Sequence, residues 1–206
     1  FLREDDEPAR PSRFQVPTRD GRSIRVGNTP SIEPGPDDTF TSYDLPWANA
    51  SNTPFRLYKH WVHEGGISTP FIAQLPEAYR TTDMPSIIHD PCHVIDVLPT
   101  ILELAGAKHP SEGAYGPVQS LEGISLLPRM KGRTPDRGAP IFWDHEGNRA
   151  VRSDGWKLVS RYPDTWELYN MEHDRTELHN LAESERGRVA SMAREYEAWA
   201  GRIGVI

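Results

Sequence analysis

Residues 52–76 read N-T-P-F-R-L-Y-K-H-W-V-H-E-G-G-I-S-T-P-F-I-A-Q-L-P, and this stretch decides the fold. It sets one lysine, Lys59, just upstream of Glu64-Gly65-Gly66 and an apolar run. Adjacent glycines let the backbone take positive φ and let another group approach closely. The run 67–75 is expected to form a short buried strand ended by Pro76. A cation held at the mouth of such a strand suits an oxyanion of sulfur or phosphorus.

On the N-terminal side, residues 1–54 hold eight of the nineteen prolines and only scattered apolar residues. Asp20-Gly21, Pro34-Gly35-Pro36 and Pro36-Asp37-Asp38 are turn signals. Composition alone fits a disordered linker. Phe40, Tyr43, Leu45 and Trp47, however, are costly to leave in water. A long excursion packed on the core and lining a cleft mouth is therefore expected.

On the C-terminal side, 93–106 reads as a helix. Asp96 is its candidate N-cap, Pro99 falls in the first turn and Gly106 is a natural stop. Val97, Leu98, Ile101, Leu104 and Ala105 recur at helical spacing and should form a buried face. Residues 107–138 read as irregular around Ile124, Leu126 and Leu127. From 139 the period changes to two. A-P-I-F-W-D, N-R-A-V-R, G-W-K-L-V-S and T-W-E-L-Y are strand-like runs, separated by H-E-G, S-D-G and Y-P-D turns. They predict a four-stranded antiparallel meander, with Trp143, Trp156 and Trp166 burying large area if they share a face. A last helix, N-capped by Ser184, should lay Val189, Met192, Ala193, Tyr196, Trp199, Ala200 and Ile203 over the sheet.

A net charge of −7 disfavours nucleic acid, which demands a basic surface. No apolar run reaches the length of a helical membrane span. One cysteine, Cys92, leaves no internal disulfide. There is no Ser-His-Asp signature, P-loop or dinucleotide fingerprint.

K-x-x-x-x-E-G-G at 59–66, followed by a proline and an apolar run, resembles the sulfatases of the alkaline-phosphatase-like superfamily. The wording of 52–70 is similar to their bacterial arylsulfatase branch. The resemblance continues in order through H-V-I-D-V-L-P-T-I-L-E-L-A-G at 93–106, L-E-G-I-S-L-L-P at 121–128 and W-E-L-Y-N-M-E-H-D-R-T-E-L-H-N-L-A at 166–182. It implies an α/β fold. Residues 1–138 would be the C-terminal portion of an alkaline-phosphatase-like sulfatase core, including the excursion 1–54. Residues 139–206 would be a small C-terminal subdomain of four-stranded antiparallel sheet plus helix.

Sulfatases carry a formylglycine made from Cys or Ser in a C/S-x-P-x-R motif. That motif does not occur in the sequence, where Cys92 is followed by His93-Val94-Ile95-Asp96. The paired aspartates and Asp-Asn-Gly that hold calcium in the family are likewise expected upstream. The chain thus reads as the C-terminal part of a longer enzyme, beginning just after its last metal ligands. The resemblance implies hydrolysis of a sulfate ester, small-molecule or glycan, by an enzyme whose calcium ligands lie outside this chain. Its partners would be that substrate and the N-terminal part of the same enzyme, with no nucleic acid and no membrane. A periplasmic or secreted location is expected from the family. A phosphomonoester or phosphonate hydrolase of the same superfamily is the alternative enzyme, and a glycan-binding module using exposed tryptophans is the non-catalytic one.

In the family the lysine matching Lys59 contacts the sulfate oxygens and helps the leaving oxygen depart. Without the resemblance, Lys59 reads first as a solvated surface lysine. His145, at the first C-terminal turn, matches a region that reaches over the sulfatase cleft. It is a candidate substrate-binding residue or an exposed turn histidine. Asn148 is a second candidate lining the same pocket. His60 and His63 flank Trp61 but lack a third ligand at useful spacing, so cleft lining or backbone hydrogen bonds are expected. His89, Cys92, His93 and Asp96 read as structural. Glu64 is expected to accept turn N–H groups or pair with Arg56, and Arg129, Lys131 and Arg133 read as a solvated patch.

Overall fold

A computed structural model of the protein describes residues 17–41, 44–80, 84–85, 87–113, 116–133 and 137–205. In chain order its elements are β1 (Arg25–Val26), β2 (Thr39–Phe40), α1 (Asp44–Ser51), α2 (Glu64–Ile67), a 3-10 turn at Glu77–Tyr79 and another at Val94–Asp96, followed by α3 (Val97–Ala105), β3 (Glu112–Gly113), β4 (Gly116–Pro117) and α4 (Leu127–Met130). The C-terminal elements are β5 (Ile141–His145), β6 (Asn148–Ser153), β7 (Trp156–Ser160), β8 (Glu167–Asn170) and α5 (Arg186–Ile203). The chain forms two compact units. One comprises the described parts of 1–69, 143–150 and 155–206, and the other those of 70–142 and 151–154.

The meander, most of which belongs to the first unit, stands as the period-two pattern predicts, in the order β5-β6-β7-β8. Its first two connections are two-residue hairpins. Glu146 and Gly147 (φ 53° and 82°) and Asp154 and Gly155 (φ 47° and 74°) carry positive φ at both central positions. That conformation matches the twist of the flanking strands and explains the E-G and D-G dipeptides. β7 pairs antiparallel with β8, placing Lys157 opposite Tyr169 and Val159 opposite Glu167.

Alternation sends successive side chains to opposite faces. One face meets α5. There Trp166 lies 5.5 Å from the Tyr196 ring, the Arg188 guanidinium sits 4.3 Å over Trp156, and the Tyr196 hydroxyl donates to Asp144 at 2.5 Å. The other face is covered by the 55–67 segment. Val62, Ala150, Val159, Tyr169 and Met171 form its buried core, with Ile67 and Trp143 packed against it. The three tryptophans therefore do not share a face, because Trp143 falls on the opposite parity from Trp156 and Trp166. α5 buries Met192, Tyr196 and Ala200 as its stripe predicts, while Ile203 is exposed. Its N-cap is Glu185 rather than Ser184, whose hydroxyl donates to the Leu181 carbonyl instead.

The excursion is less packed than its aromatic residues suggest. β1 and β2 pair in parallel, and α1 buries Ala48 while leaving Leu45 and Trp47 exposed, Trp47 at 67 %. Tyr43 and residues 1–16 lie outside the described residues.

The expected strand at 67–75 is absent. Ile67 ends α2, and the chain beyond it is irregular, with Ile72 92 % exposed. Pro70 removes a ladder donor in mid-run, and no described strand offers this segment a partner.

In the second unit α3 ends as predicted, on Gly106 at φ 62°. Its N-cap is Asp96, as predicted, but the Asp96 side chain makes no capping bond to α3. His93 is the N-cap of the preceding 3-10 turn, with Nδ1 accepting from the Ile95 N–H, while Asp96 returns to accept the His93 N–H at 2.8 Å. Asp96 also accepts from Ile124 N–H at 3.0 Å and binds Arg137 through both oxygens. Burial alone would raise its pKa, but Arg137 and the two N–H donors outweigh that and hold it below the usual carboxylate range. Leu126 and Leu127 are buried as expected. The expected buried face of α3 is corrected, since Leu98 and Ile101 are about half exposed and Thr100 is the buried residue. The Thr100 hydroxyl bridges the Asp96 carbonyl and the Leu126 N–H. Arg129 is no part of a solvated patch. It is buried, with Nε 3.3 Å from Asp90.

Candidate functional site

The E-G-G sequence sits where two stretches of backbone touch. A Cβ on Gly65 would lie 2.2 Å from the Arg56 carbonyl oxygen and 2.3 Å from that of Leu57. One on Gly66 would lie 1.9 Å from the Trp61 carbonyl oxygen. Neither glycine has positive φ, so close approach, not turn freedom, demands them. The strained positions are in the loop they support, at Leu57 (φ 64°) and His60 (φ 117°). Such backbone persists only where surrounding contacts enforce it.

Those contacts are charged and buried. Lys157, fully buried on β7, places Nζ 2.9 Å from Glu64 Oε1 and 2.8 Å from Glu177 Oε1. Glu177 Oε2 accepts the Glu64 N–H at 2.8 Å. Glu64 thus pairs with Lys157 rather than Arg56, and Arg175 lies 3.9 Å from its other oxygen. Arg56 instead donates to Glu167 and to the Tyr169 hydroxyl, the latter at 2.8 Å. Buried His63 reaches the same Glu167 oxygen at 3.3 Å, and Tyr169 donates to it as well. Burial would raise the Glu167 pKa, but His63, Tyr169 and Arg56 outweigh it and bring it down to about 2. Burial, reinforced by Glu167, pushes the Tyr169 phenol up. Sequence spacing could not reveal Lys157, Glu167 or Glu177, because each meets a partner in the 56–64 segment about a hundred residues away.

The Lys59 side chain is exposed on this pinned loop and makes no hydrogen bond or ion pair with any described residue. The next residue, His60, meets the β5–β6 turn. Its ring centroid lies 5.8 Å from that of His145, and its Nδ1 lies 2.8 Å from Glu146 Oε2. His145 and Glu146 are both exposed. Asn148 is 2 % exposed and holds the arrangement together. Its amide donates to the His60 carbonyl at 3.3 Å and the His145 carbonyl at 3.0 Å, and its oxygen accepts the Tyr162 N–H at 3.1 Å. The structure therefore joins the Lys59 loop to the His145 turn and leaves His63 on the far side of Trp61, in the core. Among the described residues, His60, His145 and Glu146 form a three-residue group able to hold a metal ion, with ligand atoms within 4.8 Å of one another. Two of the three come from the hairpin, and His63 takes no part.

Residues 55–197 match the family described as N-sulphoglucosamine sulphohydrolase, C-terminal. An uncharacterized sulfatase of Schizosaccharomyces pombe is 31% identical over 183 residues, covering 82% of this chain and 31% of that protein. A sulfatase of Formosa agariphila is 33% identical over 147 residues, covering 64% and 26%. The N-acetylgalactosamine-6-sulfatase of Mus musculus is 36% identical over 141 residues, covering 66% and 25%. The chain spans between a quarter and a third of the length of these relatives. On this match, which takes in the pinned loop, the meander and most of α5, the chain belongs to the sulfatase family and corresponds to its C-terminal part.

Proposed function

We propose that this chain serves as the C-terminal part of an arylsulfatase-like enzyme that hydrolyses sulfate esters, in the bacterial arylsulfatase branch. The observation that carries the reading is the family match over 55–197, which includes the loop presenting Lys59. Sulfuryl transfer spreads negative charge over the equatorial and leaving oxygens. A fixed ammonium aimed at those oxygens lowers the barrier. Lys59 suits that role because no group among the described residues neutralises it, and because buried charge and backbone contacts fix its loop. His145 stands beside the same loop and is proposed to hydrogen-bond a substrate oxygen. Asn148, whose amide is taken up by the two histidine carbonyls, acts on the substrate by positioning them. Residues 139–206 are proposed as the subdomain that carries this turn to the cleft.

The family implies calcium and a formylglycine. The residues described here do not fit calcium, which takes six to eight hard oxygen ligands, whereas the His60-His145-Glu146 group offers two imidazole nitrogens and a single carboxylate. No step is assigned to either group on this chain. The test is turnover of an aryl sulfate by the whole enzyme carrying Lys59→Ala. A fall of roughly 10²–10³-fold in kcat is expected, comparable to losing one oxyanion donor. Unchanged turnover would remove Lys59 from the reaction.

A further inference from the structure

We propose that His60, His145 and Glu146 bind one divalent first-row transition-metal ion of the zinc class. Their ligand atoms lie within 4.8 Å of one another, with one nitrogen from the loop and a nitrogen and an oxygen from the turn. Zinc takes nitrogen ligands at about 2.0–2.1 Å and carboxylate oxygens at about 2.0–2.2 Å, in a tetrahedron that three protein groups and a water complete. Half-exposed His60 and exposed His145 and Glu146 can close that gap by side-chain rotation alone. Two imidazoles and one carboxylate select zinc, copper or nickel over magnesium and calcium.

The backbone beneath the group is already set. Asn148 ties the His60 and His145 carbonyls to one buried amide. His60 at φ 117° and Glu146 at φ 53° are both non-glycine residues in the left-handed region. The positive φ of Glu146 belongs to the two-residue hairpin, whereas that of His60 is enforced by the contacts around its loop. Glu146 contacts His60 Nδ1 at 2.8 Å, so one ligand pair already meets without the ion. The bound metal would bridge the Lys59 loop to the β5–β6 turn and keep an open position for water or an anionic oxygen.

The site is read without substrate, so its failure and that of the sulfate-ester reading are separable. The whole protein, freed of metal by chelation, is titrated with zinc chloride by calorimetry, and cobalt(II) is then used as a visible probe. One zinc ion per chain is expected, with the intense visible absorption of four-coordinate cobalt. His60→Ala with His145→Ala should abolish both signals, and Glu146→Gln should weaken zinc at least tenfold. His179→Ala, an exposed histidine elsewhere, should leave them unchanged. Folding of each variant is checked by its denaturation midpoint. No stoichiometric binding by the parent protein, or undiminished binding by the folded double variant or by Glu146→Gln, overturns the proposal.

Discussion

Lys157 Nζ lies 2.9 Å from Glu64 Oε1, and both side chains are sealed from water. A strand of the C-terminal sheet is thereby locked to the residue before Gly65-Gly66. Removing one partner of a buried ion pair leaves an uncompensated charge, which costs about 3–5 kcal/mol. Lys157→Met should lose stability on that scale in urea denaturation. Adding Glu64→Gln and Glu177→Gln should recover part of it, since no buried charge then remains unpaired. A single variant within ~0.5 kcal/mol of the parent would show that the network does not anchor the loop.

Glu167 makes stability depend on acid. Its pKa is depressed from 4.5 to about 2 in the folded state. A carboxylate lowered on folding contributes stability that is complete above its unfolded pKa and lost as pH falls through its folded value. The loss should run from about pH 5 to pH 2 and amount to roughly 3 kcal/mol at most. Glu167→Gln should be less stable at pH 7 and lose less over that window than the parent, the remaining loss coming from other depressed carboxylates such as Asp96 and Asp174. A parent protein equally stable at pH 5 and pH 2.5 would contradict the assignment.

Gly65→Ala and Gly66→Ala should each destabilise by at least about 1–3 kcal/mol, because the new methyl lands on carbonyl oxygens rather than on yielding side-chain tips. Gly201→Ala, in α5 with no atom within 4 Å of the added carbon, should stabilise by about 0.5–1 kcal/mol. Thermal melts of the three variants test the contrast. A neutral Gly65→Ala would mean that the loop backbones are further apart than described.

Asn148→Ala should cost about 1–3 kcal/mol, since it removes a buried side chain that accepts the Tyr162 N–H and donates to the His60 and His145 carbonyls. On the proposed role, kcat/KM for an aryl sulfate should fall, and Asn148→Asp, which keeps an acceptor for the Tyr162 N–H but offers the two carbonyls no donor, should not restore it. Full activity in a destabilised Asn148→Ala would leave Asn148 a purely structural residue.

Local signals were legible where the partner is close in sequence. Strand alternation in β5–β8, the E-G and D-G turns, Gly106 as a helix stop and the α5 stripe all depend on neighbours a few residues away. The errors occur where that condition fails. A buried strand at 67–75 and a buried face on α3 presume covering elements that the described residues do not supply. Asp96 looked like a helix cap but serves three partners at once, two of them 28 and 41 residues away. At the candidate site, Lys59 and His145 could be named from family text. Asn148 holding two histidine backbones, and His60 finding His145 instead of His63, required the fold.

The carbonyl-to-glycine contacts at Gly65 and Gly66 leave no slack between the Lys59 loop and α2. A loop seated on main chain cannot be nudged by swapping side chains under it. Relatives that diverge in substrate choice are therefore expected to vary in exposed side chains outside this loop and outside the His60-His145-Glu146 group, as at Asp154.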